Sequence, residues 1–365
     1  MLERLFRSCA VALLSLSCLP ALSLAWGSKE HILLTRLAMI RLVDDPATPE
    51  AMKNWLRTAD THLGDAAAAK EYFMTARVGV DTSKQVGMPF WVTLPDARAT
   101  DKEKKIEPFG IPERPLHYVD LELLSKDPDQ RVYRNDLSHL PDLAIASRDV
   151  RDPNYKEAGM LPFAVEHSYK QLVESLKAGR LLPTKAGDED HALRWAGYVA
   201  HYLEDNTQPH HATQDFQSRS YFADRRGAPN VHSEMEYKMN DDEKNPFPAL
   251  RTEYWMAFEK QLDEAKEPEV DAKDLWLATL QMAADSYANL PLIGQAAMSA
   301  AGQKGTPDKP EGKAGPLDTE QFFHFEGAVR GEKMTVLQMK ARQQAIAVKR
   351  VQRILRQAWD EAHAN

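Results

Sequence analysis

Cysteine is almost missing from this chain: of 365 residues only Cys9 and Cys18 are cysteine, and both fall within the first 25. Beyond them there is no thiol for a disulfide, a nucleophile or a metal, so an exported form needs a large core or bound metal as its staple. Long apolar runs are missing too. After residue 25 no stretch stays apolar for long enough to cross a bilayer. No long basic run occurs and the formal net charge is −8, which argues against the basic face of a duplex-binding protein. Nor does any segment alternate polar and apolar residues over the length of a strand, so the expectation is helical.

Residues 1–25 read as a cleavable signal peptide and not as part of the fold. Arg4 and Arg7 precede an apolar stretch, and Ser23-Leu24-Ala25 has the small-x-small form that signal peptidase cuts after. Serines and Pro20 interrupt the stretch, which makes it a poor membrane span. Lipid attachment at Cys18 is the alternative. It fits less well, because the preceding residues make a poor lipobox and the cut would leave Trp26 inside the chain. The expectation is a secreted or periplasmic protein cut after Ala25, with a net charge of −9 once Glu3, Arg4 and Arg7 are gone.

Residues 26–365 can bury a substantial core, and no linker divides them into two halves. Apolar residues recur at steps of three and four over 28–43, 48–58, 64–77, 157–178, 189–206, 251–265, 270–291 and 332–362. The fold class read from this is all-α: a single, mostly helical domain built as a multi-helix bundle with long irregular loops. Those loops are 80–116, rich in proline, 212–248, and the Gly-Pro-Lys-rich 301–317. The first two join candidate site residues and are read as the rim of a site; the third is read as a mobile surface excursion.

The chemistry concentrates in His201-Tyr-Leu-Glu-Asp205-Asn-Thr-Gln-Pro-His-His211. His201 and Asp205 are four apart at the end of a helix and point to one side, and the proline then releases the chain to deliver His211. His232 and Glu236 repeat the four-residue step. Taken singly, each feature has a bland explanation: a polar helix end, a chance His-x-x-x-Glu on a solvated helix, a half-buried His117. Taken together they offer neutral imidazoles and carboxylates from several helices, the donor set of a metal centre in a helical bundle.

A cut after Ala25 would make Trp26 the first residue, followed by Gly27-Ser28-Lys29-Glu30-His31. With the His-x-x-x-Asp-x-x-Gln-Pro-x-His stretch at 201–211, His232-Ser-Glu-Met-Glu236 and Pro115-Leu-His117-Tyr-Val-Asp, this resembles the zinc-dependent phospholipase C superfamily, which also contains the fungal and plant single-strand nucleases. The resemblance implies three Zn2+ per chain. The Trp26 amine and carbonyl, His31 and Asp205 would hold one; His117, His201, Asp205 and a further aspartate the second; His211, His232 and Glu236 the third. Asp205 would bridge the first two, whose shared hydroxide attacks phosphorus. The further aspartate is read as Asp96, in Leu94-Pro-Asp96-Ala-Arg98, although it lies 21 residues before His117, further than the family spacing. Asp81 and Asp101 are the alternatives. Asp96 and Asp205 are thus the candidate catalytic carboxylates.

The expected function is an exported phosphodiesterase acting on phospholipid head groups as a phospholipase C. Tyr-Leu after His201, the Gln-Pro-x-His-Ala ending, Ser233 and Glu236 resemble the bacterial phospholipases. The alternative is a nuclease acting on single-stranded nucleic acid, favoured by the five-residue step from Trp26 to His31 and by Pro-Leu-His-Tyr-Val-Asp. Such an enzyme would need an aromatic platform, for which Phe90, Trp91 and Tyr118 are available. A third reading is a metal-stabilised, non-catalytic secreted binding protein. His210 fits no ligand slot and is expected to be exposed, while Trp195, Trp255, Trp276 and Trp359 are expected in the core. Arg219, Arg225 and Arg226 read as a solvated loop, and the C-terminal helix as apolar on one face and basic on the other.

Overall fold

A computed structural model describes residues 26–77, 79–240, 247–270 and 273–364. The expected signal peptide, with Cys9, Cys18 and the cut after Ala25, lies outside the described residues.

Among them are thirteen α-helices and two small antiparallel hairpins, a predominantly helical fold. The helices are α1 Ser28–Asp44, α2 Glu50–Ala59, α3 Ala66–Thr75, α4 Met88–Ala99, α5 Tyr155–Ala158, α6 Leu161–Lys177, α7 Ala192–Asp205, α8 Val231–Glu236, α9 Pro248–Glu264, α10 Leu275–Tyr287, α11 Leu290–Ala300, α12 Thr319–His324 and α13 Val336–Ala362. No described helix is long and apolar enough to cross a membrane.

At the centre stands α7. Every one of its residues except Arg194 is buried, because α1, α4, α6 and α13 all pack around it. A helix enclosed on all sides is normally apolar all round. This one carries His201, Glu204 and Asp205 on its last turn instead, so those polar groups must find partners inside the protein. The four expected tryptophans, Trp195, Trp255, Trp276 and Trp359, are all buried in the surrounding core.

Four sequence expectations are corrected. The proline-rich segment 80–116 is not irregular throughout, since Met88–Ala99 is a helix with Pro89 in its first turn and Pro95 in its interior. An interior proline forfeits a backbone hydrogen bond; packing against α7 outweighs that loss. The region 157–178 is two helices, because Gly159 sits at φ +87°, where a side chain would strike the Tyr118 carbonyl. Leu290–Ala300 forms a helix where the reading stopped at 291. Finally, two hairpins were missed: β1 Lys304–Thr306 with β2 Lys309–Glu311, inside the segment read as a mobile excursion, and β3 Glu326–Val329 with β4 Glu332–Thr335, of which β4 lies in the region read as the start of the last helix. Their strands are three and four residues long, too short for alternation to register.

The C-terminal helix α13 begins at a capping box between Thr335 and Gln338. Its division into apolar and basic faces is also incomplete: Lys340 and Arg350 are fully buried on the core side.

Candidate metal centre

Buried histidines and carboxylates from α1, α4, α7, α8 and two connecting segments meet in three groups whose ligand atoms lie within 4.8 Å of one another. The first is His31, His201 and Asp205; the second Asp96, His117 and His201; the third His211, His232 and Glu236. These groups could hold metal ions. Each contains only nitrogen and oxygen donors, which suits zinc and several other divalent transition metals.

Local structure aims each imidazole. Nδ1 of His201 donates to the Val92 carbonyl on α4 at 2.8 Å, leaving Nε2 to face Asp205 Oδ2 at 3.2 Å and His117 Nδ1 at 3.0 Å. Nδ1 of His211 donates to the His117 carbonyl at 2.8 Å. Nδ1 of His31 lies 2.6 Å from Glu204 Oε2, and its Nε2 lies 3.3 Å from Asp205 Oδ1. His117 is the exception, since its Nδ1 points inward, 2.9 Å from Asp205 Oδ2. Holding the outward nitrogen of a ligating histidine in this way fixes its tautomer and ring orientation.

Asp205 spans two of the groups, one oxygen toward His31 and the other toward His117 and His201. Asp96 Oδ1 is 3.8 Å from His201 Nε2 and 4.0 Å from His117 Nδ1, while Ser28 donates to its other oxygen at 3.4 Å. The alternatives lie elsewhere: Asp81 and Asp101 are exposed and cap surface turns. In the third group His232 Nε2 contacts Glu236 Oε1, which also accepts from Gln208 Nε2 at 2.8 Å, and His211 Nε2 lies 3.9 Å away.

Buried polar atoms are almost always paired. Here His31 Nε2, Asp205 Oδ1 and Asp96 Oδ1 are buried without hydrogen bonds. Buried, unpartnered nitrogen and oxygen atoms converging on one another are the electrostatic condition that a cation relieves, so the residues fit a metal. Protonation shows the same tension. Burial pushes the Asp96 carboxyl up to about 7. Burial also lowers His201, but the Asp205 and Asp96 carboxylates outweigh it and hold the imidazole up at about 9. His31 and His211, where burial dominates, fall to about 4.

Trp26 is fully buried. Its indole donates to Thr207 Oγ1 at 3.2 Å, two residues beyond Asp205, and Lys340 Nζ lies 5.2 Å over the ring. The chain leading into α1 is therefore anchored next to the end of α7.

The sequence reading missed three neighbours. His210 is not exposed but buried, stacked on His232 with centroids 5.2 Å apart and bonded to Ser218; the 3-10 turn at Pro209–Ala212 turns it inward. Glu204 was given no role, although its three-residue step from His201 places it on the ligand side. Phe216, 40 % exposed, stands with its ring 6.2 Å from that of His232. Of the aromatics proposed as a platform, Trp91 is core, wedged against Gly197. Arg219, Arg225 and Arg226 are exposed, as expected of a solvated loop. In comparisons with known proteins, no family model and no curated protein matches this chain.

Proposed function

We propose that the chain is a tri-zinc phosphodiesterase, with phospholipase C as the favoured activity. The observation that carries this reading is the grouping itself. Residues as far apart in sequence as His31 and Glu236 fall into three buried His/carboxylate sets. The family resemblance implies the same third set and a similar first and second, which it joins through Asp205, whereas the sets found here share His201 and Asp205 reaches the second through its contact with His117.

Divalent cations held there would acidify water and polarise a phosphoryl oxygen. The protein's own contribution is positional. Asp205 ties the first two groups together, and the Val92 and His117 carbonyls hold two ligating rings in one tautomer. Asp96 and His211, at 8 % and 6 % exposure, are the least buried members of the set, so a substrate phosphate approaches on their side. Asp96 would there take a proton from the attacking water, and Phe216, beside His232, would flank the approach.

Phe216 is also the observation that favours the nuclease alternative. An exposed ring next to a phosphate site can stack an unpaired base, a contact worth about 1–3 kcal/mol. The deciding experiment is parallel hydrolysis of phosphatidylcholine and single-stranded DNA by one preparation, with Asp205→Asn as the control and Phe216→Ala as the probe. We expect cleavage of phosphatidylcholine, and its loss in Asp205→Asn. Cleavage of DNA alone, with KM raised roughly tenfold or more in Phe216→Ala, would replace the phospholipase by the nuclease. Retained activity in Asp205→Asn would remove Asp205 from the site under either reading.

A further inference from the structure

Glu204 stands out as a buried carboxylate that belongs to none of the three groups yet touches one of their members. On α7 it is three residues after His201 and directly before Asp205, and it is fully buried. Both its oxygens are engaged by α1. Oε2 lies 2.6 Å from His31 Nδ1, and Oε1 accepts from Thr35 Oγ1 at 2.7 Å. His31 and Thr35 are four apart, so one face of α1 presents an imidazole and a hydroxyl to a single carboxylate.

Thr35 holds one oxygen of the carboxylate, and the other meets the outward nitrogen of His31. Burial raises the Glu204 carboxyl well above its ordinary range. Once ionised, as a cation at Nε2 favours, it can only accept, so Nδ1 donates to it and Nε2 is left bare, the atom that faces Asp205 Oδ1 at 3.3 Å. The ring also stacks on His201, centroids 4.1 Å apart, which limits its tilt. A carboxylate behind a ligating histidine raises the basicity of the ring as well as orienting it.

We propose that Glu204 is the positioning residue of the first group: it selects the Nδ1–H tautomer of His31 and aims Nε2 at a divalent cation shared with Asp205. Thr35 holds the carboxylate in place. The proposal rests on the metal reading of that group and adds to it a residue whose loss acts through His31.

The test uses the full chain with Zn2+ as probe. Wild type, Glu204→Gln, Glu204→Ala and Thr35→Val are compared by elemental analysis and chelator-competition titration, and the zinc-loaded proteins by 15N NMR of labelled histidines. Wild type is expected to show a protonated Nδ1 and a metal-bound Nε2 on His31. Glu204→Ala should bind zinc at the His31 group roughly 10- to 100-fold less tightly, with zinc at the other groups retained. Glu204→Gln, which keeps an acceptor but loses the charge, and Thr35→Val, which keeps the charge but loses its anchor, should fall between. Retention of zinc at the other two groups, together with unchanged helical circular dichroism, separates this effect from misfolding. If wild type binds zinc with His31 as a ligand and all three variants match it in affinity and His31 tautomer, the positioning role is wrong while the metal reading stands. If wild type binds no zinc at His31, both fall together.

Discussion

At the scale of single residues, the centre is defined by which nitrogen or oxygen carries a proton. Without metal, His201, with its pKa near 9, is protonated at neutral pH, and Asp96, near 7, is about half so. Asp205 is already ionised: burial alone would raise it, but His201, His117 and His31 hold it well below the usual carboxylate range. His31 and His211, near 4, are already neutral. A binding cation therefore displaces protons from His201 and Asp96 and from neither His31 nor His211. The sign follows: zinc affinity should rise from about pH 6 to pH 9, by up to about tenfold per unit for each proton released, and level off above. Chelator-buffered titrations across that range check it, and a flat profile would mean that these two groups do not surrender protons to the metal. His201 and Asp205 were legible in the sequence because their spacing is set by the helix. Glu204 and His210 were not, because burial depends on what packs over them.

Between elements, the decisive contact is that of α4 with α7. Gly197 lets the two helices close: a Cβ there would come within 2.6 Å of Trp91 Cβ and 2.8 Å of its carbonyl carbon. This approach brings the Val92 carbonyl to His201 and Asp96 to the second group. Gly197→Ala should force α4 outward, costing about 1–3 kcal/mol as an overpacked core does, and should weaken zinc at the second group more than at the third. Urea unfolding and zinc stoichiometry read the two effects separately; wild-type values for both would show that the contact yields without moving Asp96. The sequence offered Asp96 with Asp81 and Asp101 as rivals, since helix α4 was hidden by its prolines. The rivals separate only once the chain is folded, with Asp96 turned toward α7 and the others exposed.

For the molecule as a whole, a core built around buried imidazoles and carboxylates should depend on what neutralises them. The described residues hold no cysteine, so no disulfide shares that task. A ligand present at about a thousandfold over its Kd stabilises the folded state by roughly 4 kcal/mol. Stripping the metals with chelator should then lower the thermal midpoint by roughly 5–10 °C, recoverable on adding Zn2+. An unchanged midpoint in calorimetry would mean that the three groups hold no cation under those conditions.

By itself the sequence determined the helical class and the ligand types. Apolar steps of three and four over most of the chain admit little else, and a His-x-x-x-Asp or His-x-x-x-Glu step on a helix puts two donors on one side whatever surrounds it. Only the tertiary structure decided which donors share a site, because that depends on contacts between residues far apart in the chain. His31 meets Asp205 through the packing of α1 on α7, and Asp96 reaches His117 through the closeness that Gly197 permits. Glu204 became a partner of His31 when both were sealed from water, where a buried carboxylate must find a partner or remain uncompensated.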